Sequence, residues 1–356
     1  MTYSQFIKET RRRLSELYPE REAGAMAARL LQHFCEISSY EHLVEPLGAI
    51  APEVIPVLNK AVSELAEARP LQYIIGWQEF CGLKIAVEEG VLIPRPETEQ
   101  LVLWVAQVVQ SRVLLHGAES ATESLGESKI ARETAKNTES LSSLKILDTA
   151  SGSGAIACAL ASKLPQAKLY ACDISDKSLE VTAKNLISLG FYNAQVFKCD
   201  LLQKAAKTVS HNIANQVTPD YSALDKVTSE HSILDKIITE QPVIGKKIEP
   251  QECLDIIVSN PPYVTELEKQ QMRPNVLEYE PMAALFVPDN NPLLFYRALR
   301  DLALEVLVPG GAIFMEINEQ FGSETAALFS TDHFSKVEIR KDLFNKPRMV
   351  MAVKSS

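Results

Sequence analysis

Apolar residues change their spacing along this chain, and the changes divide it into three textures. Over the first seventy or so residues the period is helical: Phe6, Leu14 and Leu17, then Ala27, Leu30, Leu31 and Phe34. A third helix is predicted from about Pro52 to Ala68, with proline in its first turn and a stop ahead of Arg69-Pro70. Residues 1–72 therefore read as a small helical bundle. From Tyr73 to Leu92 the pattern turns to Ile, Trp, Phe and Val punctuated by Gly76, Gly82 and Gly90, which predicts a β-hairpin linker over 73–92. The remainder, 93–356, opens with a helix from Leu101 to about Leu115 that Thr98 or Glu97 could cap. It then alternates short apolar runs with helical stretches, the signature of a doubly wound α/β sheet. Strands are expected at Lys145–Thr149, Lys168–Asp173, Gln195–Cys199, Leu254–Ser259, Gly311–Ile317, Lys336–Lys341 and Arg348–Lys354. The last two share a short connection, so the final strand should run antiparallel.

Two stretches interrupt this alternation. Residues 116–143 are rich in Ser, Thr, Glu and Ala and carry TESL twice, which reads as an exposed insertion. A second surplus spans about 203–252. It repeats Leu224-Asp225-Lys226 as Leu234-Asp235-Lys236, too few copies for a solenoid.

Composition narrows the options. The chain has 356 residues and 46% apolar content, enough for two domains with a sizeable core. A net charge of −10 disfavours binding naked nucleic acid through a basic face. Six cysteines without CxxC spacing argue against a disulfide framework or a zinc site and suit a reducing compartment. The six histidines have no metal-ligand spacing and read as structural or surface residues. The N-terminus has no secretory pattern, and no run approaches membrane-spanning length.

Candidate chemistry sits at three strand ends. Ser259-Asn260-Pro261-Pro262-Tyr263 follows the apolar run Leu254–Val258, and so falls at the carboxyl edge of the sheet, where open α/β folds bind ligands. The prolines stiffen this loop by fixing φ near about −65°. Asn260 and the backbone carbonyls can accept hydrogen bonds, and Tyr263 offers a flat face: a socket for a planar NH2 group. A strand-terminating turn is the alternative reading of Asn-Pro. Asp148-Thr149-Ala150-Ser151-Gly152-Ser153-Gly154 ends the first strand of the sheet and opens a helix, so its small residues let a ligand approach helix N–H groups. Asp173 closes the next strand roughly twenty residues later, where a carboxylate can accept from both hydroxyls of a ribose. Asp200 could hydrogen-bond an adenine amino group or simply cap the third strand.

In these motifs the chain resembles the HemK/PrmC glutamine methyltransferases, a family that modifies class I peptide-chain release factors. The resemblance spans nearly the whole sequence and rests on IPRPETE at Ile93–Glu99, LDTASGSGAIA at Leu147–Ala157, Cys172-Asp173, Asn260–Tyr263 and the run from Glu280-Pro281 to Phe295-Tyr296. It implies a class I S-adenosylmethionine-dependent methyltransferase fold, Rossmann-like with seven strands and the last antiparallel, behind an N-terminal helical domain that recognises substrate. It implies that Ala150, Ser151, Gly152, Ser153 and Gly154 hold the methionine part of S-adenosylmethionine, Asp173 the ribose, and Asp200 with Leu201 the adenine. Asn260, Pro261, Pro262 and Tyr263 then hold the substrate glutamine, with Asn260 also facing the cofactor and Asn260, Pro261 and Tyr263 acting in catalysis without a metal. The implied reaction methylates the side-chain amide nitrogen (N5) of the glutamine in the Gly-Gly-Gln loop of a release factor, by a cytoplasmic monomer. Ala150 departs from the family pattern, standing where a glycine is usual. Rival readings are a DNA adenine methyltransferase, which shares the Asn-Pro-Pro-Tyr motif but needs a basic groove, a sister enzyme acting on a ribosomal protein, and a non-catalytic adaptor.

Overall fold

The computed structural model describes residues 1–120, 143–203, 205–215, 238–239, 253–329 and 332–356. Both TESL copies and the Leu-Asp-Lys repeat lie outside the described residues. The chain divides into two compact units: Met1–Trp77 with Val87–Glu89 and Gln271–Glu280, and the remainder.

The first unit is built on helices α1 (Tyr3–Leu14), α2 (Glu20–Phe34), α3 (Glu41–Val44), α4 (Ile55–Ala66) and α5 (Leu71–Ile75). Its core gathers Phe6, Leu14, Leu30, Leu31, Leu58 and Leu65, the positions that helical spacing had singled out in α2 and in part of α1. Thr2 caps α1 through a reciprocal pair with Gln5, which satisfies two otherwise orphaned amides. The third helix begins three residues later than its proline suggested, with Pro56 rather than Pro52 in its first turn. Tyr73–Ile75 belong to α5, so the hairpin is shorter than its expected span: β1 (Trp77–Phe80) and β2 (Leu83–Ala86). Cys81 and Gly82 join them with φ of 51° and 78°, the signs that a tight primed turn requires.

The second unit is a sheet of β3 (Lys145–Thr149), β4 (Lys168–Asp173), β5 (Gln195–Lys198), β6 (Ile238–Thr239), β7 (Leu254–Ser259), β10 (Leu307–Glu316), β11 (Phe334–Lys341) and β12 (Pro347–Lys354). Its order is β11-β12-β10-β7-β3-β4-β5-β6, with β12 antiparallel to both neighbours and the other pairs parallel. The seven expected strands are all present, and a two-residue eighth, β6, extends the edge. A separate parallel pair joins β8 (Val264–Thr265) and β9 (Phe286–Val287).

Alternate residues of the central strands feed two cores. Ile146, Ile256, Val258, Ala312 and Phe314 point to one face, where α6 (Pro96–Ser120), α7 (Ala155–Lys163) and α8 (Asp176–Ser188) pack. Leu147, Ile257, Ile313 and Met315 point to the other, covered by α9 (Ala205–Asn215), α10 (Leu294–Val306) and α11 (Gly322–Phe329). A sheet buried on both faces needs continuous apolar runs, which is what its sequence shows. From β3 the chain winds outward to β6, then returns to β7 on the other side of β3. The crevice between β3 and β7 is therefore the topological switch point.

Candidate active site

The loop after β3 turns on three left-handed residues: Ala150 (φ 55°), Gly152 (56°) and Gly154 (75°). Gly154 has a packing reason as well, because a Cβ there would stand 2.8–3.0 Å from Thr182 of α8. Ala150 has no such excuse, and a left-handed alanine costs about 1–2 kcal/mol. The loop is laced to β4: the Gly152 amide donates to Asp173 Oδ2 at 2.9 Å, and the Ser151 amide to the Cys172 carbonyl at 3.1 Å. The Ser175 amide donates to Asp173 Oδ1, also at 2.9 Å. Each Asp173 oxygen thus holds one backbone donor and keeps lone-pair capacity for another. Burial pushes its carboxyl up from the ordinary range, while nearby amides, those of Ser175 and Gly152 foremost, pull it back.

Past β5, which ends one residue earlier than expected at Lys198, Asp200 Oδ1 accepts the Leu202 amide at 2.8 Å. The capping reading of Asp200 is therefore realised. It does not exhaust the residue, since Asp200 also faces the crevice.

These loops enclose a cavity of about 320 Å³, a size suited to a small ligand. Ala150, Ser151, Gly152, Ser153, Asp173, Asp200 and Leu201 line it, together with Asn260 and Pro262 just after β7, Pro94 and Arg95 just before α6, and Thr98 in its first turn. The residues singled out at three separate strand ends thus converge on one space. Gly154, Pro261 and Tyr263 are not among the residues that line it.

Asn260 is held from behind. Its Nδ2 donates to Thr98 Oγ1 at 3.1 Å, and Thr98 Oγ1 donates to Glu316 Oε2 at 2.6 Å. The Tyr263 hydroxyl donates to the other Glu316 oxygen at 2.8 Å. Thr98 (4% exposed) and Glu316 (1%) are buried, so this chain is shielded from competing water. Burial raises the Glu316 carboxyl above its ordinary range, while the hydroxyls of Thr98 and Tyr263 and the charge of Arg348 work the other way. The Tyr263 phenol is pushed well up, by burial and by the Glu316 charge. Its ring is therefore tethered at the hydroxyl.

Thr98 is not a helix cap, contrary to expectation. The helix starts at Pro96, the Thr98 amide donates to the Arg95 carbonyl, and its hydroxyl is committed to Glu316. The pairing follows from packing. Trp104 of α6 stacks edge-on against Phe314 of β10, 5.4 Å between ring centres, and Glu316 lies two residues on, on the same face of the strand. Glu316 went unnoticed in the sequence. Its signal was a lone acid closing the apolar run Ala312–Met315.

Residues 140–316 match the sequence pattern of a methyltransferase domain, and residues 5–76 that of the PrmC N-terminal domain. The release factor glutamine methyltransferase of Flavobacterium psychrophilum is 33% identical over 347 residues, covering 98% of this chain and 96% of that protein. That of Bacteroides thetaiotaomicron is 30% identical, covering 96% of each. A third, from Lactococcus lactis, is 32% identical over 302 residues, covering 85% of this chain and 83% of its own.

Proposed function

The chain belongs to the release factor glutamine methyltransferase family, and we propose that its cavity is where a methyl group passes from S-adenosylmethionine to the glutamine amide in the Gly-Gly-Gln loop of a class I release factor. The observation that carries this reading is the Asn260 amide: its nitrogen is turned to Thr98, to which it donates one N–H, so its carbonyl oxygen is left to accept a hydrogen bond at the cavity wall.

The cavity suits the cofactor. Asp173 keeps one acceptor site on each oxygen for a pair of vicinal hydroxyls, and Asp200 and Leu201 border the adjoining space for a base. The left-handed turn of Ala150 and Gly152 brings backbone close to the methionine end. When bound, S-adenosylmethionine supplies an electrophilic methyl on a sulfonium.

The protein's own contribution is orientation. An amide nitrogen is a weak nucleophile because its lone pair is delocalised into the carbonyl. Asn260 Oδ1 would accept one of its hydrogens and the Pro261 carbonyl, set back between the lining residues Asn260 and Pro262, the other; they align it with the methyl and stabilise positive charge as it develops on nitrogen, and the proton it then loses passes to water. Pro262 closes the wall, and Tyr263 braces the loop through Glu316. Helices α1 to α5 supply the surface that grips the folded substrate. Removing them should raise KM for an intact release factor far more than for a Gly-Gly-Gln peptide. The enzyme acts as a monomer in the cytoplasm, where its six free cysteines stay reduced.

The direct test is to incubate the purified protein with methyl-labelled S-adenosylmethionine and a release factor, then map the label. Label on the loop glutamine, absent when that glutamine is replaced, is the expected result. Label on DNA or on a ribosomal protein instead would overturn the assignment.

A further inference from the structure

A primary amide has two faces of similar size and opposite polarity. A site that uses an asparagine to recognise another amide must decide which face it shows, because the wrong one would welcome a carboxylate. The hydrogen-bond chain behind Asn260 makes that decision. An ionised carboxylate can only accept, so Glu316 accepts a hydrogen bond from both hydroxyls that reach it, Thr98 and Tyr263. The single proton of Thr98 is thereby committed, and toward Asn260 its oxygen can offer only lone pairs. Asn260 must answer with its NH2, and its carbonyl oxygen is left for the cavity. The polarity is set at Glu316 and relayed through one buried hydroxyl, by two links that span 218 and 162 residues of the chain.

We infer that Thr98 and Glu316 are positioning residues that fix the polarity of the Asn260 amide, and that this polarity makes the site select a side-chain amide over the isosteric side-chain carboxylate. The inference rests on the reading of the substrate as a glutamine. With the Asn260 oxygen outward, a glutamine NH2 finds an acceptor. A glutamate in its place puts an oxygen against an oxygen, a repulsion the positive cofactor alone would otherwise mask. Shape cannot make this distinction, because the two side chains are nearly the same size. Rejection has to come from an unpaired or repelled polar atom.

Thr98→Val keeps the volume of residue 98 and removes both its acceptor and its donor. The Asn260 NH2 then has no partner on the helix side and gains by turning into the cavity, where it can donate to a carboxylate. Glu316→Gln reaches the same end with the hydroxyl in place. The amide introduced at position 316 can turn its own NH2 on Thr98 and free the threonine proton to bind the Asn260 oxygen. Thr98→Ser retains the relay.

The experiment is calorimetric titration of a release factor with its native Gly-Gly-Gln loop, and of the same protein carrying Gly-Gly-Glu, into enzyme saturated with S-adenosylhomocysteine. The ratio of the two affinities is the readout, and a merely structural role for residue 98 would leave it alone. In Thr98→Val the preference for the glutamine form should fall about tenfold or more, the scale of one oriented polar contact, with Glu316→Gln moving the same way. Thr98→Ser should keep the wild-type preference. An unchanged ratio in Thr98→Val would overturn the inference. So would loss of S-adenosylhomocysteine binding in that variant, since the hydroxyl would then be serving the cofactor pocket. Methylation of the native release factor by wild-type enzyme is the control: its failure removes the proposed substrate, whereas a shifted or unshifted ratio in the variants speaks only to Thr98 and Glu316.

Discussion

The two halves of the cavity are made in different ways. The Asp173 half is built from backbone: its carboxylate is fixed by amides two and 21 residues away, and its loop turns on left-handed residues within one short motif. The Asn260 half is built from side chains, in a chain whose links span 162, 218 and 53 residues. Backbone amides hold their direction whatever the sequence around them, so the first half is a stable cradle whose side chain adds affinity. A side-chain amide has its direction only on loan from its neighbours. The second half therefore governs whether a bound substrate is aligned, and damage to it should appear in turnover.

The largest expected effect tests that division directly. Asn260→Ala should lower turnover by about 10²-fold or more, the scale for one oriented donor or acceptor at a transition state. Calorimetry should find cofactor affinity nearly intact. Turnover close to wild type would place the chemistry elsewhere. The mirror experiment is Asp173→Ala. It should weaken S-adenosylmethionine by about 1.5–3 kcal/mol, as for hydrogen bonds to a charged group, and leave turnover at saturating cofactor largely alone. If each variant damaged binding and turnover together, the contrast between the halves would collapse.

The same contrast explains what could be read from the sequence. Asp148–Gly154 and Asp173 announce themselves because the turn, the helix start and the acid at the next strand end recur at a spacing the fold imposes. Asn260–Tyr263 was legible as a stiff loop at a strand end, and so was its place at the sheet's carboxyl edge. What holds Asn260 was not. Thr98 lies in a helix start where capping is the ordinary use of threonine, and only the packing of Trp104 on Phe314 brings it over Glu316. Tyr263 was expected as a stacking face. Its hydroxyl tether to Glu316 depends on a residue 53 positions on, which no local pattern reports. The eighth strand, only two residues long, carries too few positions to show a period.

Acidity offers a finer separation, since each half contains a carboxylate that burial raises. Asp173 favours the ligand when ionised. As pH falls through its raised value the cofactor affinity should decline, beginning above the range of an ordinary carboxylate near about 4, and the decline should vanish in Asp173→Asn. Glu316 acts on the other quantity. Once protonated it can donate to Thr98, the threonine proton is freed for Asn260, and the amide can reverse. Turnover at saturating cofactor should therefore fall on the acid side with the titration of Glu316, and Glu316→Gln should be low and flat across that interval. Measuring Kd and kcat separately against pH checks both. A single limb shared by the two quantities would mean that one group controls both halves.

The smallest effect concerns the single imperfect joint in the backbone-built half. Ala150 is left-handed, with φ of 55°, where glycine would be at ease. Replacing it with glycine relieves about 1–2 kcal/mol of backbone strain. It also returns about 0.5–1 kcal/mol to the unfolded chain through the freedom of glycine. The net gain in stability should be about 0–1.5 kcal/mol, visible as a rise of a few degrees at most in Tm. Affinity is the more telling number. If the strain is the same with and without ligand, Ala150→Gly should stabilise the protein and leave Kd unchanged. If binding drives the turn further into the left-handed region, the alanine resists it, and the glycine variant should bind S-adenosylmethionine more tightly by the share of strain that binding adds. A cradle whose shape is complete before the cofactor arrives predicts the first result. Tighter binding with unchanged Tm would show that the turn is finished only on the ligand, and that the backbone half, like the side-chain half, takes part of its shape from what it holds.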